Sequence, residues 1–311
     1  MEKTERTYET FVEELRKALI RETGCGEEEI YFAEKGSYPT LEGDRLIWEL
    51  HREGNIKDVF AICTQEIYKK HKEGAPMDEI IQNYLREAER AKDSGIFDRA
   101  AEIKEYRQVE KMLILRLRNK ERESGRLTNA VCRYVGDIAV VLYIRLGKIG
   151  GAETSMMVNK AWIDQWGKSE EELFSAAMKN MLRFTPPRIY DFWKLAYDAE
   201  YEGEDFMDIS QNCQIDNSPT GNCLSTTSRI NGAAAIFIPE VAKRIYEMMG
   251  NGYYLVFTSI HEVMVHDEKS TDPERLRVVL GQTLEEVTPV EDRLTTRIYH
   301  YDQETGYTMA V

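Results

Sequence analysis

Apolar side chains recur at helical spacing near the start of the chain, at Tyr8, Phe11, Val12, Leu15 and Leu19, until Gly24 to Gly26 interrupt them. Such a stripe predicts an amphipathic helix, which needs an apolar surface to lie on. Three runs rich in β-branched and aromatic residues supply one: EIYFAE (29–34), DRLIWEL (44–50) and IKDVFAIC (56–63), with a turn at Glu53, Gly54 and Asn55 between the last two. A short helix then ends at Gly74, Pro76 sits at a helix start, and Met77, Ile80, Ile81, Tyr84, Leu85 and Ala88 form a second stripe. A longer helix over about 97–123 is expected to lead into the second half.

DIAVVLYIRL (137–146) is apolar on both faces and predicts a central strand, turned by Gly147, Gly150 and Gly151 into ETSMMVN. Ser169 with Glu172 reads as a capping box for a helix over 170–182 that Pro186 and Pro187 end. Residues 195–228 hold seven carboxylates and no Lys or Arg, which predicts a long exposed loop. The densest stretch, 223–266, reads as strand, tight turn at Asn231 and Gly232, strand over AAAIFI, helix from Pro239 to Gly250, and strands YYLVFTSI and EVMVH. Thr271 and Glu274 form a second capping box ahead of a helix bearing Leu276, Val279, Leu280 and Leu284, and TRIYHYD with YTMAV closes as a hairpin through Gly306.

Strand runs and helical runs mixed in this way give an α+β fold, and 311 residues suffice for two lobes. We expect a break near residue 126, with 1–126 a helix, three-strand, helix lobe and 127–311 a mixed second lobe. A net charge of −14 speaks against nonspecific binding to nucleic acid, because that affinity comes from Lys and Arg displacing counterions. The basic run KMLILRLRNKER (111–122) reads instead as a solvated helix face. Five cysteines, scattered and without CxxC spacing, indicate reduced thiols and a cytoplasmic protein. No apolar run is long enough to cross a bilayer, so no membrane partner is expected, whereas a protein partner stays open.

YKKHKEGAPMDEIIQNYL, YVGDIAVVLYIRL, MMVNKAWIDQWGKSEEELFSAAMKNM and SRINGAAAIFIPEVAKRIYEMMGNGYYLVFTSIHEVMVHD form successive blocks over nearly the whole chain. In these the chain resembles a bacterial family catalogued only as domain of unknown function 5688. Phe257, Thr258 and Ser259 stand where the family pattern carries Pro-Ser-Ser. The resemblance therefore implies a shared fold and transfers no catalytic role.

Ser259, His261 and Glu262 are the candidate catalytic residues, because a hydroxyl and an imidazole within reach of each other can act as nucleophile and base. In an extended strand Ser259 and His261 would face the core side with Val263 and Val265, which predicts a buried, hydrogen-bonded His261. No oxyanion hole or GxSxG elbow is legible. HEVMVH has neither helical nor even strand spacing for a shared metal, Cys213 and Cys223 lack a second ligand pair, DAEYEGEDFMD lacks calcium-loop spacing, and GKIGG lacks the phosphate-loop lysine. Neither metal nor cofactor is expected. Trp162 and Trp166 read as core anchors. The favoured function is a non-catalytic binding or regulatory protein; alternatives are a hydrolase using Ser259 and His261 with a carboxylate such as Glu262, and an acidic mimic of nucleic acid.

Overall fold

Thr7 accepts a hydrogen bond from the Thr10 amide at 3.3 Å, and Gly24 closes the same helix in the left-handed region at φ 70°, so α1 runs Tyr8–Thr23 between two local stop signals. The computed structural model that shows this describes residues 7–37, 43–53, 56–95, 103, 105–149, 152–191, 194, 197, 198, 200–211 and 213–311. The turn residues Gly54, Asn55, Gly150 and Gly151, and the expected helix start at 97–102, lie outside the described residues.

The chain divides into two compact units, one of residues 1–103 with 146–154 and one of 104–145 with 155–311. Arg126 falls within the second. In the first unit, α1 is followed by β1 (Ile30–Ala33), β2 (Arg45–Glu53), β3 (Ile56–Cys63), α2 (Thr64–Lys72) and α3 (Met77–Asp93). The three strands form one antiparallel sheet in the order β1-β2-β3. Phe11, Leu15 and Leu19 of α1, Ile67 of α2, and Ile80, Ile81 and Ala88 of α3 are buried with Ile30, Leu46 and Ile62 of the strands. Each large aliphatic side chain so buried contributes about 1.5–3 kcal/mol, so the two helical stripes read from sequence are what hold this unit together.

The remaining elements are α4 (Tyr106–Val109), β4 (Leu113–Asn119), α5 (Ser124–Leu127), β5 (Cys132–Val135), β6 (Ile138–Ile149), β7 (Ala152–Met157), α6 (Lys160–Trp166), α7 (Glu170–Phe184), β8 (Pro187–Tyr190), β9 (Asn222–Thr226), α8 (Pro239–Met249), β10 (Tyr253–Val256), β11 (Val263–Asp267), α9 (Pro273–Glu286), β12 (Tyr299–Asp302) and β13 (Gly306–Met309). β4, β6 and β5 lie side by side with β7 also paired to β6, and the second sheet has the order β13-β12-β10-β11-β9-β8. The fold is α+β. β6 is the central strand its two-sided apolar run predicts, and Ser169 and Glu172 make the reciprocal capping box at the start of α7. Trp166 is buried and Trp162 half-buried, with ring centres 5.8 Å apart.

Four local expectations are corrected. The helix expected through 123 is overturned by β4: Leu113, Leu115 and Leu117 alternate with Ile114, Arg116 and Arg118, a period of two that buries the leucines on one face. The basic run is thus a strand, with the Arg116 and Arg118 guanidinium carbons 5.3 and 5.4 Å from the centre of the Tyr143 ring. AAAIFI is no strand but part of a fully buried 3-10 turn over Gly232–Phe237, where small side chains permit close backbone packing. The helix α9 is capped by Asp272, whose side chain accepts from the Glu274 amide at 3.1 Å, and not by Thr271; Pro273 then supplies the first helical residue. The acidic loop does not reach 228, because Asn222–Thr226 is buried throughout as β9 between β8 and β11.

Candidate functional site

Ser259, His261 and Glu262 stand in the six-residue connection between β10 and β11, ahead of the strand and not in it. The two strands pair antiparallel, Val256 opposite Met264, so this connection must reverse the chain direction. Side chains do part of that work. Ser259 Oγ accepts the His261 amide at 2.9 Å, a short-range turn that serine offers readily, and donates to Glu262 Oε1 at 2.7 Å. Thr258 Oγ1 donates to the same carboxylate oxygen at 2.7 Å. Outside contacts fix the rest: the Ile260 amide donates to the Asp292 carbonyl at 2.9 Å, Thr288 Oγ1 to the Thr258 carbonyl at 2.9 Å, and Ser225 Oγ to the His261 carbonyl at 2.7 Å.

The His261 ring has partners other than Ser259. Its Nδ1 accepts the Asn231 amide at 3.0 Å, which leaves the proton on Nε2, and Nε2 lies 3.5 Å from Asp292 Oδ2. The side chain is 32% exposed, which corrects the expectation of a buried ring on the Val263 and Val265 face; the bend before Val263 removes it from the strand alternation on which that expectation rested. Asn231 holds a left-handed conformation at φ 54°, and the following residue is Gly232, where a Cβ would stand 2.7 Å from the Thr226 amide nitrogen and 2.8 Å from the His261 carbonyl oxygen. The Asn-Gly pair read as a turn therefore does a second thing: it aims one amide at an imidazole and brings the backbone of the 3-10 turn against β9.

Chemically the arrangement joins hydroxyls to a carboxylate and an imidazole to a different carboxylate. The Ser259 hydroxyl spends its one donor on the Glu262 carboxylate and not on an imidazole. Cys223, on β9 beside this turn, is pushed up to about 12 by burial and by the nearby Glu262 charge, so it stays a thiol and no thiolate nucleophile forms there. Ser259, His261 and Glu262 are neighbours in the sequence itself, which gives no sign of Asn231 and Asp292 as the partners of the imidazole. Nothing in their spacing signals that role, because both come from other parts of the chain.

Behind Asp292 the second unit holds a charged cluster that sequence reading also missed. Glu123 is buried, with Arg118 at 3.6 Å, Arg126 at 3.5 Å and Arg122 at 4.0 Å. Arg118 Nε donates to the Tyr143 hydroxyl at 2.9 Å. Burial alone would lower the Arg118 pKa, but Tyr143, Glu123 and Asp292 together raise it, so the guanidinium stays charged. In the acidic segment, Asp205 pairs with Arg188 at 3.0 Å, Glu204 with Lys194 at 3.4 Å, and Asp208 and Asp216 cap their own turns through Ser210 and Ser218. These carboxylates are locally partnered. Among the described residues no group of three or more His, Cys, Asp or Glu converges as a metal site, and Cys213 and Cys223 are separate free thiols.

A family model described as a family of unknown function, DUF5688, matches residues 8–303. No curated protein and no solved structure matches the chain. No helix among the described residues is long and apolar enough to cross a membrane.

Proposed function

The chain belongs to the DUF5688 family of unknown function, and we propose that it is a non-catalytic binding protein of the cytoplasm. One observation carries this: the Ser259 hydroxyl is directed to Glu262 while the His261 ring is engaged by the Asn231 amide and faces Asp292. A serine hydrolase needs the opposite wiring, with the hydroxyl on the imidazole and the carboxylate behind it. The polar residues of 258–262 serve as braces of a tight chain reversal. Concave surfaces of about 380 and 410 Å³ elsewhere are of ligand size. Five thiols without a disulfide fit a reducing compartment.

The test is a fluorophosphonate probe applied to the purified full chain beside a known serine hydrolase. The expected result is no labelling of Ser259 and a lowered melting temperature in Ser259→Ala. Labelling at Ser259 that disappears in His261→Gln overturns the reading and establishes the hydrolase.

A further inference from the structure

Helices α2 and α3 of the first unit line an open cavity of about 380 Å³. Its chemistry differs from that of the whole chain. Lys70 comes from α2, and Arg86 and Arg90 come from α3, one turn apart on a single face. Glu87 is the one carboxylate among its lining residues, so the lining carries three cations against one anion in a protein of net charge −14. Among the described residues none of the three cations has a carboxylate within ion-pair distance, whereas Arg188, Lys194 and Arg118 elsewhere are each paired. The helix dipole accounts for cations in the last turns of α2 and α3, where Lys70 and Arg90 stand, but not for Arg86 one turn earlier.

The floor of the cavity is apolar. Ile80 reaches it from the core with Ile67 fully buried behind, and the Tyr84 ring lies half-buried beside them. Burial first, then the charges of Glu87, Glu66 and Cys63, push the Tyr84 phenol up to about 12, so at neutral pH it keeps its proton and offers a donor. Asn83 adds an amide, held by Arg86 at 2.6 Å from its Oδ1. Exposed cations and an exposed amide, a half-buried phenol and a buried isoleucine make a wall that changes from charged to apolar as exposure falls.

We propose that this cavity binds a small amphipathic anion, with a phosphate or carboxylate head on Arg86, Arg90 and Lys70 and an apolar body against the Tyr84 ring and the accessible edge of Ile80. The proposal rests on the reading of the chain as a binding protein only in giving that reading a ligand class. A volume near 380 Å³ admits a body of one ring or a short alkyl chain. Arginine is suited to such a head because its planar fork meets two oxygens at once.

Calorimetric titration and thermal shift on the full chain test this with four probes: phenyl phosphate, benzoate, inorganic phosphate and benzylamine. Phenyl phosphate and benzoate should bind and raise the melting temperature, phenyl phosphate about tenfold more tightly than inorganic phosphate, and benzylamine should not bind. Arg86→Gln and Arg90→Gln, both exposed positions, should each weaken phenyl phosphate about tenfold while leaving the ligand-free melting temperature unchanged. Equal affinity for inorganic and phenyl phosphate, binding unaffected by both substitutions, or tighter binding of benzylamine overturns the proposal. Failure here leaves the fluorophosphonate result untouched, and labelling of Ser259 leaves this cavity untouched, so the two readings fail separately.

Discussion

The Tyr299 hydroxyl on β12 donates to the carboxylate of Asp137, 162 residues earlier in the turn between β5 and β6, and accepts the Asp137 amide at 3.0 Å. Thr295 Oγ1 donates to the same carboxylate at 2.9 Å, and Arg297 Nε stands 3.7 Å away. One aspartate thus collects a strand, the segment before it and its own turn. Tyr299→Phe removes a donor from a mostly buried carboxylate and should cost about 1–3 kcal/mol in urea unfolding. A loss below a few tenths would show that Thr295 and Arg297 suffice.

Gly232 is the tightest backbone approach at the candidate site. A methyl group there would meet the Ser225 hydroxyl first and then two backbone atoms, Thr226 N and His261 O, which cannot swing aside. Gly232→Ala should destabilise by about 1–3 kcal/mol as an overpacked position. Gly125→Ala, where nothing lies within 4 Å of the added atom, is the matched control and should not lose stability by overpacking.

His266 is buried on β11 with Nδ1 lacking a hydrogen-bond partner, and burial pushes its pKa below the ordinary 6.5, partly offset by the Pro219 backbone. Below about pH 6.5 the unfolded imidazole takes up a proton that the folded one refuses, so stability present at neutral pH falls as pH falls towards the folded pKa. The melting temperature of the wild type should drop more between pH 7 and 5.5 than that of His266→Gln. Equal slopes would show that His266 protonates freely in the folded chain.

Cys223 should be the slowest thiol to alkylate. A thiol pushed up to about 12 holds almost no thiolate at pH 7.5, and its burial blocks access as well. Mass spectrometry after iodoacetamide should find Cys213 modified before Cys223 in the native chain, and both modified in urea. Early labelling of Cys223 would mean that β9 opens locally.

Where one local signal dominated, the sequence was legible. The apolar stripe of α1 between Thr7 and Gly24, the Ser169 and Glu172 pair and the apolar run of β6 all give elements close to those expected. At Leu113–Asn119 two periods competed, because Leu113 and Leu117 stand one helical turn apart while all three leucines fit a period of two, and the pairing with β6 decides for the strand. At Gly232–Phe237 the alanines carry little period at all, and packing against β9 sets the conformation. Thr271 and Asp272 both can cap; Pro273 at the first helical position selects Asp272. For the site, the adjacency of Ser259, His261 and Glu262 was plain, but the direction of the imidazole depends on Asn231 and Asp292, 30 residues before it and 31 after.

The order of the six-stranded sheet also bears on how the protein is made. β10 lies between β11 and β12, so one flank of this apolar strand pairs with β11, which follows it directly, while the other waits for residues near 300. Until those emerge from the ribosome, Tyr253, Leu255 and Val256 border an open row of amides and carbonyls that any extended segment can join. The completed edges are guarded differently, by Pro187 at the start of β8 and by the exposed Thr308 and Met309 of β13. The interval between synthesis of β10 and synthesis of β12 is thus when a nascent chain is most exposed to self-association, and a codon or chaperone effect on yield should map there.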